Sequence, residues 1–148
     1  MEEIKSFIQN RVPESRHLEY KRELNISRDQ EKREFLADVC SFANSGGGII
    51  LFGIAEAKEG DKPSGVPSHI EGLNELNCDD VTLRVDAIIR QGIEPVLSNI
   101  RTACLKIDGS SVFVLFIPRS FKAPHMVTFQ GASKFYGRAN ASKFQMDL

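Results

Sequence analysis

The stretch ESRHLEYK, Glu14 to Lys21, places two carboxyl groups and a primary amine within eight residues. Residues five apart point to opposite faces of a strand and lie about 140° apart on a helix. Glu14 and Glu19 therefore converge only if the chain bends between them, which the polar turn around Glu14 to Arg16 permits. Lys21 would share the face of Glu19, because residues two apart on a strand point the same way. Two carboxylates beside an ammonium suit a divalent-metal phosphodiesterase, in which oxygen ligands hold Mg²⁺ or Mn²⁺ and the cation offsets charge building on phosphate. Paired surface charges explain the same residues without any reaction.

A second chemistry lies near the C-terminus. From Gly109 to Met146 the chain carries Arg119, Lys122, Lys134, Arg138, Lys143 and His125 with no acid. Residues 56 to 80 are the reverse, with seven acids against Lys58 and Lys62. The first segment would attract phosphate and the second repel it, although cations on a loop-rich edge also serve simply to solvate it. Phe129, Phe135 and Tyr136 add aromatic surface on which bases could stack. Phe135 and Tyr136 cannot share one strand face, so at most one of them is a platform.

Other arrangements are weaker. The Asn-Ser-Gly-Gly-Gly run from Asn44 to Gly48 leaves a helix and enters a strand, whereas a phosphate loop leads from a strand into a helix, and no Gly-Lys-Ser/Thr follows. It reads as a helix stop and a site of close backbone packing, so no ATP site is expected. His17, His69 and His125 are isolated, and Cys40 falls on an apolar helix stripe. A Ser-His-Asp or Cys-His system could assemble only in space, since no GxSxG motif marks one.

These residues must be held by a small set of elements. Ile4, Phe7 and Ile8 pattern a short helix from Glu2 to Arg11, stopped by Pro13. Leu18 to Lys21 reads as a strand. A second helix opens at Ser27, with Gln30 completing a capping box, and buries Phe35, Leu36, Val39, Cys40 and Phe42 before ending near Asn44. Ile49 to Ile54 forms a central strand. Residues 55–77 are acidic and rich in Gly and Pro and read as a long loop. Asp79 or Asp80 caps a third helix ending at Gly92. Asn99 to Ile107 and Ser111 to Ile117 form a hairpin through Asp108-Gly109, and Met126 to Phe129 and Lys134 to Tyr136 are short strands. The pattern is α+β: one mixed, mostly antiparallel sheet with about three helices on one side.

Length and composition agree. A chain of 148 residues, 41% hydrophobic and 26% charged with net charge −1, is one domain with room for a core. Three scattered cysteines form neither a CxxC pair nor an even disulfide framework, which favours a reducing compartment. No apolar run approaches a membrane span and no basic leader precedes one, so a cytoplasmic protein is expected.

Together these motifs resemble the Schlafen AlbA-like domain, also described as a divergent-AAA DNA-binding domain. The resemblance runs through ESRHLEYK and SFANSGGGIILFGI (Ser41 to Ile54), then Gly65, Asp108-Gly109, Ile117 to Ser120 with Pro124, and FYGRANAS (Phe135 to Ser142). It implies a single domain over 1–148, either standing alone or forming the N-terminal part of a longer transcriptional regulator or helicase-like protein. It implies a partner of DNA or RNA, with no cofactor required; the basic and aromatic pattern read above makes Lys21, Arg119, Lys122, Lys134, Tyr136 and Arg138 the contacts, and sequence specificity is not predicted. Its animal members imply an alternative, a Mg²⁺- or Mn²⁺-dependent endoribonuclease acting on tRNA-like RNA. Glu14, Glu19 and Glu56 would then be the metal ligands and Lys21 the electrostatic stabiliser, with Glu56 where the family carries Asp. A single lobe would need a homodimer to form the paired groove of those nucleases. A regulatory or oligomerisation module is the remaining reading, and burial of the basic segment in a subunit interface would favour it.

Overall fold

The computed structural model describes residues 2–74 and 76–146, so Glu75 of the acidic stretch lies outside the described residues. Leu18–Lys21 forms β1 and the apolar run Gly48–Phe52 forms β2. The two pair in parallel, Leu18 opposite Ile49 and Tyr20 opposite Leu51. β6 (Arg101–Ile107) and β7 (Ser110–Ile117) form the expected hairpin, with Asp108 and Gly109 both at positive φ. β7 then lies antiparallel to β2, giving the sheet order β1-β2-β7-β6.

Val112 to Ile117 offers no polar face, so both sides of this sheet must be covered. On one side Ile50, Phe52, Phe113, Leu115 and Ile117 pack with α2 (Asp29–Ala43) and α3 (Cys78–Gly92). On the other, Leu18, Tyr20, Leu51, Val112 and Val114 pack with Ile4 of α1 (Glu2–Gln9). The helices thus lie on both faces, not one. The single sheet expected also divides. A second sheet, ordered β10-β9-β8-β5, is built from β5 (Ile93–Glu94), β8 (Met126–Val127), β9 (Lys134–Ala139) and β10 (Ser142–Met146).

Residues 55–77 are not one loop. β3 (Ile54–Glu59) and β4 (Lys62–Ile70) form a hairpin of their own. Pro63, Gly65 and Pro67 hide its alternation, and the hairpin accommodates them with register shifts on either side of Glu56 and with Gly65 at φ 76°. Proline is tolerated here because β4 pairs on one side only.

Three local expectations also shift. The cap of α2 is Arg28, whose N–H donates to Glu31 Oε1 at 2.9 Å, one residue beyond the Ser27–Gln30 box. α3 is capped by Asn77, whose side chain accepts the Asp80 N–H at 3.0 Å, rather than by Asp79 or Asp80. Cys78 and Cys104 form a disulfide with Cα atoms 6.0 Å apart, leaving Cys40 free and buried. An odd count therefore conceals one pair, and the cysteine argument for a reducing compartment loses its support. No helix among the described residues is long and apolar enough to cross a membrane.

Candidate functional site

One turn organises two clefts. The Ser15 N–H donates to the Leu18 carbonyl at 2.9 Å, folding the chain back so that Arg16 and His17 occupy the tip and Glu14 and Glu19 the base. This is the bend that convergence of the two carboxyls requires. The Tyr20 N–H donates to Glu14 Oε2 at 3.0 Å, which holds Glu14 against the start of β1.

At the base lies an acidic cleft of about 440 Å³, lined by Glu14, Glu19, Lys21, Arg22, Glu56 and neighbouring residues of the β3–β4 hairpin. The hairpin delivers Glu56: the Glu14 N–H donates to the Gly65 carbonyl at 2.7 Å, and the Gly65 N–H donates to Glu56 Oε2 at 3.3 Å. Burial pushes the Glu14 carboxyl up to about 7, and the neighbouring carboxylates of Glu56 and Glu19 add to it against the Tyr20 N–H. Burial also raises Glu19, with Asp38 adding, against Lys21 and Arg138.

Behind this cleft runs a file of buried charge. Arg138 has no exposed side-chain surface; its Nη2 donates to the Ser15 carbonyl at 2.9 Å and its Nη1 lies 3.6 Å from Glu19 Oε1. Its guanidinium carbon sits 4.0 Å from the centroid of the Phe42 ring. Asp38 of α2 pairs with Lys21 at 3.3 Å and Lys143 at 2.9 Å. The structure therefore turns Arg138 inward, away from the surface phosphate contact expected of it, because desolvated Glu19 needs a cation. Lys21 likewise faces Asp38 and Glu19. Burial pulls its ammonium down, but those two carboxylates outweigh the effect and leave it above its ordinary value.

The three glutamates supply only carboxylate oxygens, the donor set of a hard divalent cation. Glu19 Oε2 is buried and accepts no hydrogen bond, an orphan that a cation would satisfy. Yet Glu14 and Glu56 face each other while Glu19 is drawn toward Lys21 and Arg138. Among the described residues no three His, Cys, Asp or Glu side chains are grouped to hold one ion. The donors fit a metal in kind and not in present placement, so the side chains as they stand do not support a metal-assisted step.

At the tip of the turn lies a second cleft, of about 490 Å³, lined by Arg16, His17, Asn44, Ser45, Gly46, Arg119, Ser120 and Ala123. Its lining contains no acid. The glycine run makes it: Gly47, at φ 84°, packs so tightly that a Cβ would fall 2.5 Å from the Ile117 carbonyl. Lys122 is exposed on the same segment, and between it and Arg119 the Phe121 ring stands 90% exposed with the Arg119 guanidinium 5.4 Å from its centroid. Lys134 is exposed but lines neither cleft. Tyr136 is half-buried against the core, and its carbonyl accepts from Asn44 Nδ2 at 2.9 Å.

Sequence reasoning missed Asp38, Arg16, His17 and Phe121. Asp38 stands three residues after Phe35 and four before Phe42, which places it on the apolar face of α2 and marks it as a buried charge. Phe121 falls in a segment bracketed by Pro118 and Pro124, where no periodicity calls for an apolar side chain.

Two solved structures share the fold. A crystal structure of the DIP2311 protein from Corynebacterium diphtheriae aligns at TM-score 0.62 and 17% identity over 97% of this chain, which spans about a quarter (26%) of that one. A solution structure from Nitrosomonas europaea, the N-terminal domain of a protein named as related to the ATP-dependent DNA helicase RecG, aligns at TM-score 0.63 and 22% identity. That alignment covers 94% of this chain and 88% of that domain. Nothing among curated proteins matches the chain. The family model described as Schlafen, AlbA_2 matches residues 14–147, from the first glutamate of the turn through β10, and the chain belongs to that family.

Proposed function

We propose that this domain binds single-stranded or locally unpaired nucleic acid, DNA or RNA, at the basic cleft. The observation that carries the reading is Phe121, an aromatic ring left 90% exposed between Arg119 and Lys122. An exposed ring among cations is the arrangement that stacks on a base while neighbouring charges hold the backbone. Arg119, Lys122, Arg16 and His17 contact phosphate, and Phe121 takes the stacking role expected of Tyr136. Lys134 extends the basic surface, whereas Lys21 belongs to the acidic cleft and Arg138 braces the shared turn from inside through the Ser15 carbonyl. The family and the RecG-related neighbour support a nucleic-acid role. Fluorescence anisotropy with a labelled single strand tests it: affinity should fall steeply with salt and drop in Phe121→Ala. Equal affinity in that variant would remove the reading.

A second reading is a divalent-metal-dependent endoribonuclease acting on tRNA-like RNA. One observation supports it, that Glu14, Glu19 and Glu56 line a single cleft, and it requires Glu19 to turn from Lys21 and Arg138 toward the other two carboxylates. Incubation of end-labelled tRNA with Mn²⁺ or with chelator, beside a folded Glu14→Ala/Glu19→Ala double variant, decides it. Metal-dependent cutting lost in the variant would establish the enzyme, and intact RNA in every lane would dismiss it.

A further inference from the structure

Ser120, in the wall of the basic cleft, is half of a reactive pair whose other member, His125, is buried behind it, and the binding role does not use the pair. Ser120 Oγ lies 2.5 Å from His125 Nε2, and His125 Nδ1 lies 2.8 Å from the Pro95 carbonyl oxygen. A carbonyl can only accept, so in the neutral ring Nδ1 carries the proton and Nε2 presents a lone pair. The Ser120 hydroxyl must then donate to that lone pair. A nucleophile bonded to a histidine base, itself oriented by a third group, is the general arrangement that activates serine.

The histidine is fixed and the serine reachable. His125 is fully buried; its N–H donates to Asn44 Oδ1 at 2.7 Å and its carbonyl accepts from Asn44 Nδ2 at 2.9 Å. Asn44, which ends α2, thus grips the His125 backbone from both sides. Ser120 is half-buried and lines the open cleft beside Arg16 and Arg119. The Lys122 N–H donates to Ser120 Oγ at 3.2 Å, where it would steady negative charge as the proton leaves. In sequence the two residues sit five apart in a loop with no recognisable motif, and the fold alone supplies the third group, from the residue that follows β5.

We infer that Ser120 is a nucleophile activated by His125, directed at small carboxylic esters bearing a negative charge that Arg16 and Arg119 attract. Oγ adds to the ester carbonyl carbon while its proton passes to Nε2. Collapse breaks the carbon–alkoxy bond, the departing alkoxide takes that proton, and the acyl group stays on Oγ. Water then repeats the sequence and releases the carboxylic acid. The inference rests on the hydrogen-bond geometry and does not require nucleic-acid binding.

The test uses the purified chain and a fluorophosphonate probe, which loses fluoride on attack by a serine and leaves a stable adduct read by intact mass and peptide mapping. One adduct at Ser120, absent from Ser120→Ala and formed about 100-fold or more slowly in a folded His125→Gln, is expected. The p-nitrophenyl hemisuccinate ester should be cleaved faster than p-nitrophenyl acetate, with a burst. Should His125→Gln fail to fold, Ser120→Cys serves instead, and its new thiol should react with iodoacetamide at least tenfold faster than glutathione at pH 7. Absence of an adduct at Ser120 in the folded wild-type chain would overturn the inference, as would an S120C thiol no faster than glutathione.

Discussion

The two clefts share one turn and one residue type, yet treat arginine in opposite ways. In the acidic cleft, Arg138 is fully enclosed and spends its guanidinium on Glu19, the Ser15 carbonyl and the Phe42 ring. In the basic cleft, Arg119 is exposed and its guanidinium lies over the rim aromatic Phe121. Both stand in the acid-free C-terminal segment, and charge counting ranks them alike. Burial decides between them: an enclosed cation is committed to the anion that shares its low dielectric, while an exposed one keeps its charge for a ligand.

The largest effect should come from breaking this contrast at Arg138. Arg138→Met leaves Glu19 without its buried partner and should cost about 3–5 kcal/mol, measured by urea unfolding. Arg119→Ala should change stability by no more than about 0.5 kcal/mol. A mild Arg138 variant would mean that Glu19 is compensated by Lys21 alone. For the same reason, charge reversal at Arg138 is a test of folding and not of binding.

Next in size is Phe121→Ala, which should weaken single-strand binding by about 1–3 kcal/mol, roughly 5- to 150-fold, with unchanged melting temperature. Tyr136→Ala should do the opposite, lowering stability through lost core packing.

A third test uses the raised carboxyl of Glu14. Its folded value of about 7 exceeds the ordinary 4.5, so between those values the folded state holds more protons than the unfolded state. The favourable contribution is complete below about pH 4.5 and is lost as pH rises through about 7. Glu14→Gln removes the charge and can still accept the Tyr20 N–H. Its melting temperature should match wild type near pH 4.5 and exceed it by a few degrees at pH 8, by calorimetry. An advantage at low pH instead would place the strain elsewhere.

The smallest effect is a slope. Lys122→Ala should reduce the dependence of log affinity on log salt by about 0.7–0.9, the share of one phosphate contact. An unchanged slope would remove Lys122 from the interface.

By itself the sequence determined the family and those elements with a clear local pattern, but not the β3–β4 hairpin, whose prolines and glycine hide its alternation. The β2 run, the stripe of α2, the Asp108-Gly109 hairpin and the segment order were legible because each rests on local periodicity or a turn that demands positive φ. The pairing of Glu19 with Lys21 followed from strand alternation for the same reason. The tertiary structure alone decided which charges are free. Whether Arg138 meets Glu19, whether Asp38 reaches Lys21 and Lys143, and whether Ser120 finds His125 oriented by Pro95 depend on segments tens of residues apart in the chain. Composition reports how many charges there are. Burial and long-range contact set what each of them can do.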